Sequence, residues 1–301
     1  NGYTLFLPES CTFVGGSTPS WGMTANWSCA GAARLPNVID TVTIPNGKSP
    51  VRSSLVTRVG PLAIESGATL EVQAGGSLSV YGTSTNTGTI TINSVGGSTA
   101  GIIALEGGGP STSTNNGTIL ALNGGKLAAN VPLQNLGFID VSSSGKLQLG
   151  QNMSTVGGLD VSALGELILT GSGDAAFPPH RFIPTVSPIG TLTIAIDAYQ
   201  SISLMANATT THGLNLNSGY LNLNGNTIDL DGTANLMVRG SGGWSGGGTV
   251  ELTGSGDQTI GAESYVAIPS LRIRKTSGQV SQGASQLDIS SSFDVVSGTY
   301  L

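Results

Sequence analysis

Charged side chains make up 9% of the 301 residues and aromatic ones 5%, and neither scarcity fits a cytoplasmic enzyme. With only 11 basic residues against 17 acidic ones, the chain lacks the clustered positive charge that a nucleic-acid partner requires. Its densest basic group is Arg272, Arg274 and Lys275; alternation along a strand puts the two arginines on one side, which reads as a solvated face. There are two histidines, His180 and His212, and two cysteines, Cys11 and Cys29, far from them in sequence. Two thiols without a nearby imidazole make half a zinc site, so no metal or other cofactor is expected. No apolar run approaches the roughly 20 residues that cross a bilayer as a helix, so membrane insertion is not expected either. The first residue is Asn1, with no basic and apolar leader, as for a chain whose signal peptide has been removed or for a fragment.

What is abundant is glycine, with 46 residues, accompanied by Ser, Thr and Asn. Low charge with much Gly and Ser also describes disordered linkers. The hydrophobic fraction of 38% argues otherwise, because it consists mostly of Leu, Ile and Val in short alternating runs that can bury apolar surface.

Those runs repeat. Gly125-Lys126-Leu127, Gly145-Lys146-Leu147 and Gly165-Glu166-Leu167 follow one another at a step of 20 residues. At the same step, Gly117, Gly137 and Gly157 precede Ile119, Ile139 and Leu159, with Ala121, Val141 and Val161 two places on. An earlier pair, Thr69 to Val72 and Thr89 to Ile92, repeats it again. Strict alternation over four or five residues bounded by Gly, Ser and Asn is the mark of a short half-buried strand, and no segment reads as a helix. The expected fold is therefore all-β: a single-stranded parallel β-helix, or β-solenoid, with two strands in register per coil of about 20 residues and inward Leu, Ile and Val stacked from coil to coil. Residues 1–50 read as an N-terminal capping segment and residues 51–301 as roughly a dozen coils.

Two stretches break the period. Residues 174–188 contain Pro178, Pro179 and Pro184, which cannot donate within a sheet, and read as an excursion loop. Residues 240–248, Gly-Ser-Gly-Gly-Trp-Ser-Gly-Gly-Gly, read as a flexible loop presenting Trp244. His180, Arg181 and Trp244 are the candidate ligand residues on these loops.

At the N-terminus, Cys11 and Cys29 are expected to form a disulfide, which implies an oxidising compartment. Trp21 and Trp27 suit a cap, since the first coil of a solenoid exposes an apolar cross-section and unpaired strand edges; the rival reading makes them sugar-stacking platforms.

Ser20-Trp21, Ala25-Asn26-Trp27, Leu35-Pro36 and Asp40-Thr-Val-Thr-Ile-Pro-Asn-Gly47, together with Gly254-Ser-Gly-Asp-Gln-Thr-Ile260 and Ser297 to Leu301, resemble the opening module and repeats of large bacterial surface and secreted β-helix proteins. The resemblance implies a secreted or cell-surface location and an adhesive or scaffolding role. Possible partners are other surface components, a glycan, or further copies of the chain stacked head to tail in a filament.

β-Helices also include polysaccharide lyases and glycosidases, so enzymes must be excluded on residues. Glycoside hydrolysis needs two carboxylates about 5–10 Å apart. Asp140 with Asp160, at the 20-residue step, and Asp229 with Asp231, two apart, are the candidate pairs. Each reads better as an outward, solvated ladder residue, and no catalytic residue is assigned: the chain is expected not to be an enzyme, with polysaccharide binding or cleavage as the alternative. Ice binding ranks last, because the threonines are not expected to repeat at one position through successive coils. Sequons occur at Asn26, Asn116, Asn152 and Asn207.

Overall fold

The computed structural model describes residues 7–15, 19–52, 56–95, 99–107, 112–151, 153–155, 157–162, 164–171, 181–182, 188–263, 265–283 and 286–301. The chain is a β-solenoid of about 10 turns of ~22 residues, divided into two compact units, Asn1–Leu159 and Asp160–Leu301.

In the first unit each turn contributes three strands, not two, to three parallel sheets. Face A stacks Thr41–Ile44, Leu62–Ile64, Ser84–Asn86, Ser113–Asn115 and Leu133–Asn135. Face B stacks Val51–Arg52, Thr69–Val72, Thr89–Asn93, Thr118–Leu122 and Phe138–Asp140. Face C stacks Val56–Val59, Ser77–Tyr81, Ile102–Glu106, Lys126–Ala129 and Lys146–Leu149. Successive side chains of a strand point to opposite sides, so one residue in two enters the core. Face B thus buries Leu70 and Val72, Ile90 and Ile92, Ile119 and Ala121; face C buries Leu78 and Val80, Ile103 and Leu105, Leu127 and Ala129. Each fully buried Leu, Ile or Val contributes on the order of 1.5–3 kcal/mol.

The third strand escapes a search for apolar alternation because the inward residues of face A turn polar. Ser84 and Asn86, then Ser113 and Asn115, occupy positions taken by Leu62 and Ile64 one coil earlier. Their polar groups satisfy one another across coils. Ser84 donates to Ser113 at 2.8 Å, Asn86 Nδ2 to Asn115 Oδ1 at 2.7 Å, and Asn115 Nδ2 to Asn135 Oδ1 at 2.7 Å. Asn135 Nδ2 closes the ladder on the Gly158 carbonyl at 2.9 Å. The glycines at the following corner, Gly88, Gly117, Gly137 and Gly157, stack just as closely. A Cβ at Gly117 would collide with the Gly88 carbonyl oxygen, and one at Gly137 with that of Gly117. The backbone here approaches too closely for any side chain.

The step is not a constant 20. Asn86 and Asn115 are ladder neighbours 29 residues apart, whereas Asn115 and Asn135 are 20 apart. The surplus lies at the corners, between the strands ending at Asn93 and beginning at Ile102 and between those ending at Glu106 and beginning at Ser113. A corner can lengthen without disturbing the inward columns, and so a fixed period underestimates the coil.

In the second unit the strands are longer and bend around corners: Ile189–Ile196, Ala208–Asn222, Asn235–Ser245, Tyr265–Gln282 and Gln286–Tyr300. One core column runs Leu192, Leu214, Leu236, Ile260, and another Thr210, Leu230, Leu252, Ile273. The glycine-rich stretch differs from its expectation as a loop. Gly240 to Ser245 belongs to a strand, paired residue for residue with Ser218 to Asn222 from Ser241 onward, and only residues 246–248 turn. Glycine serves close approach there: a Cβ at Gly242 would strike the Leu216 carbonyl, and one at Gly243 would press on the Tyr220 ring at 3.2 Å.

Of the expected excursion loop, residues 174–180 and 183–187 lie outside the described residues, and His180 with them. Arg181–Phe182 is a two-residue strand parallel to Ser201–Leu204. No helix among the described residues is long and apolar enough to cross a membrane.

Candidate functional site

The cap is built on an antiparallel pair, Ser10–Phe13 with Trp27–Cys29, laid on face A so that Ser10 and Cys11 pair with Thr41 and Val42. Cys11 and Cys29 face each other in this pair and form the disulfide, closing a loop with a sequence separation of 18. Trp27 meets Phe13 and Trp21 edge-on, at centroid distances of 5.1 Å and 4.6 Å, and its indole N–H donates to the Trp21 carbonyl at 2.9 Å. Trp21 and Trp27 are each 1% exposed, so they cover the first coil and leave no ring face for a sugar.

An ion network fixes the entry to this cap. Asp40, fully buried, accepts from Arg34 Nη1 at 2.7 Å and Nη2 at 3.0 Å, from the Asn37 amide at 2.8 Å and from the Glu9 amide at 3.1 Å. Arg34 Nη2 also donates to Glu9 at 2.6 Å. Burial alone would raise the Asp40 carboxyl, but the Arg34 guanidinium and the two amides hold it below its usual range. Cys11, Cys29 and Asp40 come within 4.8 Å of one another, yet the sulfurs are bonded to each other and the carboxylate to Arg34, a donor set unsuited to a metal.

The expectation that no threonine column exists is overturned by face A. Its outward register runs Ser28, Thr12, Thr43, Ala63, Thr85, Thr114, Gln134 through successive strands. None of these is charged, whereas outward positions of faces B and C carry Glu71, Asp140, Glu106, Lys126 and Lys146. The column was hidden because its members are separated by unequal steps.

The candidate carboxylates fall into two kinds. Asp140 accepts from the Ser142 amide and hydroxyl at 2.8 Å and 2.7 Å, and Asp160 accepts from the Ser162 amide at 2.9 Å. Both pin the turn that follows their strand. Asp229 and Asp231 sit instead in a charged outward patch that includes two residues not singled out from sequence as its members. Asp229 is the cross-strand neighbour of Glu251, and Glu251 is that of Arg272. Thr253 Oγ1 donates to Asp229 at 2.7 Å, and Arg274 pairs with Glu251 at 2.9 Å. Burial, then Glu251 and Asp231, raise the Asp229 carboxyl despite the Thr253 hydrogen bond. Asp229, its carboxyl raised above the usual range, thus lies across from an ion-paired Glu251.

Arg272 and Arg274 are exposed as expected, with Arg272 3.6 Å from Asp294. Lys275 is not: it is 3% exposed, and its Nζ donates to Gln258 Oε1 at 2.6 Å and to the Thr253 carbonyl at 3.0 Å. Trp244 is half-buried at a core register, Ile202, Leu221, Trp244, with its indole N–H buried and unpartnered. It belongs to a strand, where a loop residue was expected to present a ring. The Asn26 sequon is buried and its amide donates to the Ser20 carbonyl at 2.7 Å, while Asn116 and Asn207 are exposed and Asn152 lies outside the described residues.

No protein-family description, curated protein or solved structure matches the chain.

Proposed function

We propose that this chain is an extracellular structural and adhesive β-solenoid, a stalk or passenger of a bacterial surface protein whose uncharged hydroxyl-bearing face A meets a flat, hydroxyl-rich surface. The outward column from Ser28 to Gln134 carries this reading, because side chains locked to the strand spacing of about 4.8 Å present a repeating, charge-free array. A cross-linked cap supports the location, since disulfides persist in oxidising compartments. Gln286–Tyr300 pairs with Tyr265–Gln282 on one edge, and a further coil, from the same or a second chain, fits the other.

The test is co-sedimentation with microcrystalline cellulose and chitin, alongside negative-stain electron microscopy over a range of concentrations. Retention that is lost in Thr85→Lys/Thr114→Lys supports adhesion through face A, and concentration-dependent fibres support the filament form. Retention unchanged by those lysines refutes the assignment of the face.

A second reading, polysaccharide cleavage, is favoured by one observation: Asp229, its carboxyl raised by burial, lies across from Glu251, which pairs with Arg274. Release of reducing ends from a polysaccharide panel by the wild type, abolished in Asp229→Asn, would replace the adhesive reading with this one.

A further inference from the structure

Arg52 is the one buried guanidinium whose surroundings leave donors unmatched among the described residues. It opens face B in the first coil: Val51 is bridged to Ser20 of the cap, receives a hydrogen bond from Trp21 N at 2.9 Å, and donates to the Pro19 carbonyl at 2.7 Å. Arg52 pairs with Val72 on the other side. Strand alternation sends its side chain inward, and the residue is 3% exposed. Nε and Nη2 are both buried and without a hydrogen-bond partner.

Those two nitrogens lie on the same edge of the guanidinium. Their N–H bonds run parallel and form the fork that a carboxylate or similar oxyanion accepts in bidentate fashion. Among the described residues no group accepts from either nitrogen. Each of the six carboxylates in the first unit is engaged elsewhere: Glu9 and Asp40 with Arg34, Glu65 with the Asn46 amide, Glu71 with Gln73, Glu106 with Asn130, and Asp140 with Ser142. Burial lowers the Arg52 pKa, but a guanidinium remains charged near neutrality, and an uncompensated charge in a low-dielectric interior is strongly unfavourable.

We propose that the Nε–Nη2 edge of Arg52 binds a small oxyanion of carboxylate type inside the first coil, beneath the cap. The anion supplies two acceptors and one negative charge, and the site joins the cap segment at Pro19 to Trp21 to the first turn of the solenoid. A carboxylate as small as formate matches the fork, and a halide, with a single centre, matches it less well.

The test uses the full chain and sodium formate as the probe, against sodium chloride at equal ionic strength. Thermal unfolding followed by fluorescence of the buried cap tryptophans should show a midpoint rising with the logarithm of formate concentration and flat in chloride. The Arg52 Nε–H resonance should shift saturably with formate. Arg52→Met, which removes the charge and keeps the volume, should lose the formate dependence and, without formate, unfold no earlier than the wild type. Should that variant not fold, Arg52→Lys keeps the charge without the fork and should lose the Nε signal and the formate slope. A wild-type midpoint indifferent to formate, equal slopes in formate and chloride, or a formate slope retained by either variant overturns the proposal.

Discussion

Replacing Asn115 by Ala tests whether the buried asparagine ladder, rather than apolar burial, holds face A in register. The side chain accepts from Asn86 Nδ2 at 2.7 Å and donates to Asn135 Oδ1 at 2.7 Å and to the Phe138 carbonyl at 3.3 Å. At about 1 kcal/mol net per hydrogen bond, the three together contribute roughly 3 kcal/mol. Asn86 Nδ2 keeps a partner in the Thr118 carbonyl at 3.2 Å, but Asn135 Oδ1 loses the Asn115 donor in a residue that is 0% exposed. The expected cost is therefore about 3 kcal/mol. Urea unfolding followed by circular dichroism measures it, and native-state hydrogen exchange at the Phe138 and Gly158 amides shows whether the loss is local to these coils. Asn115→Asp should be no better, because a carboxylate accepts from Asn86 but cannot donate to Asn135 or Phe138. Combining Asn86→Ala with Asn115→Ala should cost less than the sum by about 0.5–3 kcal/mol, the signature of shared partners. A loss below about 1 kcal/mol for Asn115→Ala, or strict additivity of the pair, would refute the argument.

Reduction of Cys11–Cys29, or Cys11→Ser with Cys29→Ser, removes a cross-link of sequence separation 18 and should destabilise the cap by about 3 kcal/mol, read from the fluorescence of Trp21 and Trp27. Asp40, whose carboxyl lies below its usual range in the fold, contributes stability that is complete above about pH 4 and lost as pH falls through its lower folded value. Asp40→Asn should therefore lower the unfolding midpoint at neutral pH and flatten its acid limb. Asp229 has the opposite sign: its raised folded value makes the ionised form unfavourable, so Asp229→Asn should raise the midpoint at pH 7 and change it little well below pH 4. Gly117→Ala, which drives a Cβ into the Gly88 carbonyl, should cost about 1–3 kcal/mol, whereas Gly247→Ala, with nothing within 4 Å, should change stability by less than about 0.5 kcal/mol in chemical denaturation.

The amino-acid sequence alone determined the β-solenoid, because Leu127 with Leu147 and Ile119 with Ile139 recur in register and strand alternation converts that recurrence into stacked core columns. It also pointed to the disulfide and to Trp21 and Trp27 as the cap, since bulky apolar groups and a cysteine pair before the first repeat have one economical use. The third strand of each coil was not legible, because Ser84, Asn86, Ser113 and Asn115 are polar and yet buried, and their burial depends on partners 20 or 29 residues away. Unequal corners hid the face A threonine column for the same reason. Only the tertiary structure brought Glu251 opposite Asp229, put Trp244 on an inward strand register and Lys275 in the interior, and left the edge of Arg52 without an acceptor. Periodicity fixes which residues turn inward; the lengths of the corners decide which coils meet and hence which polar groups find partners.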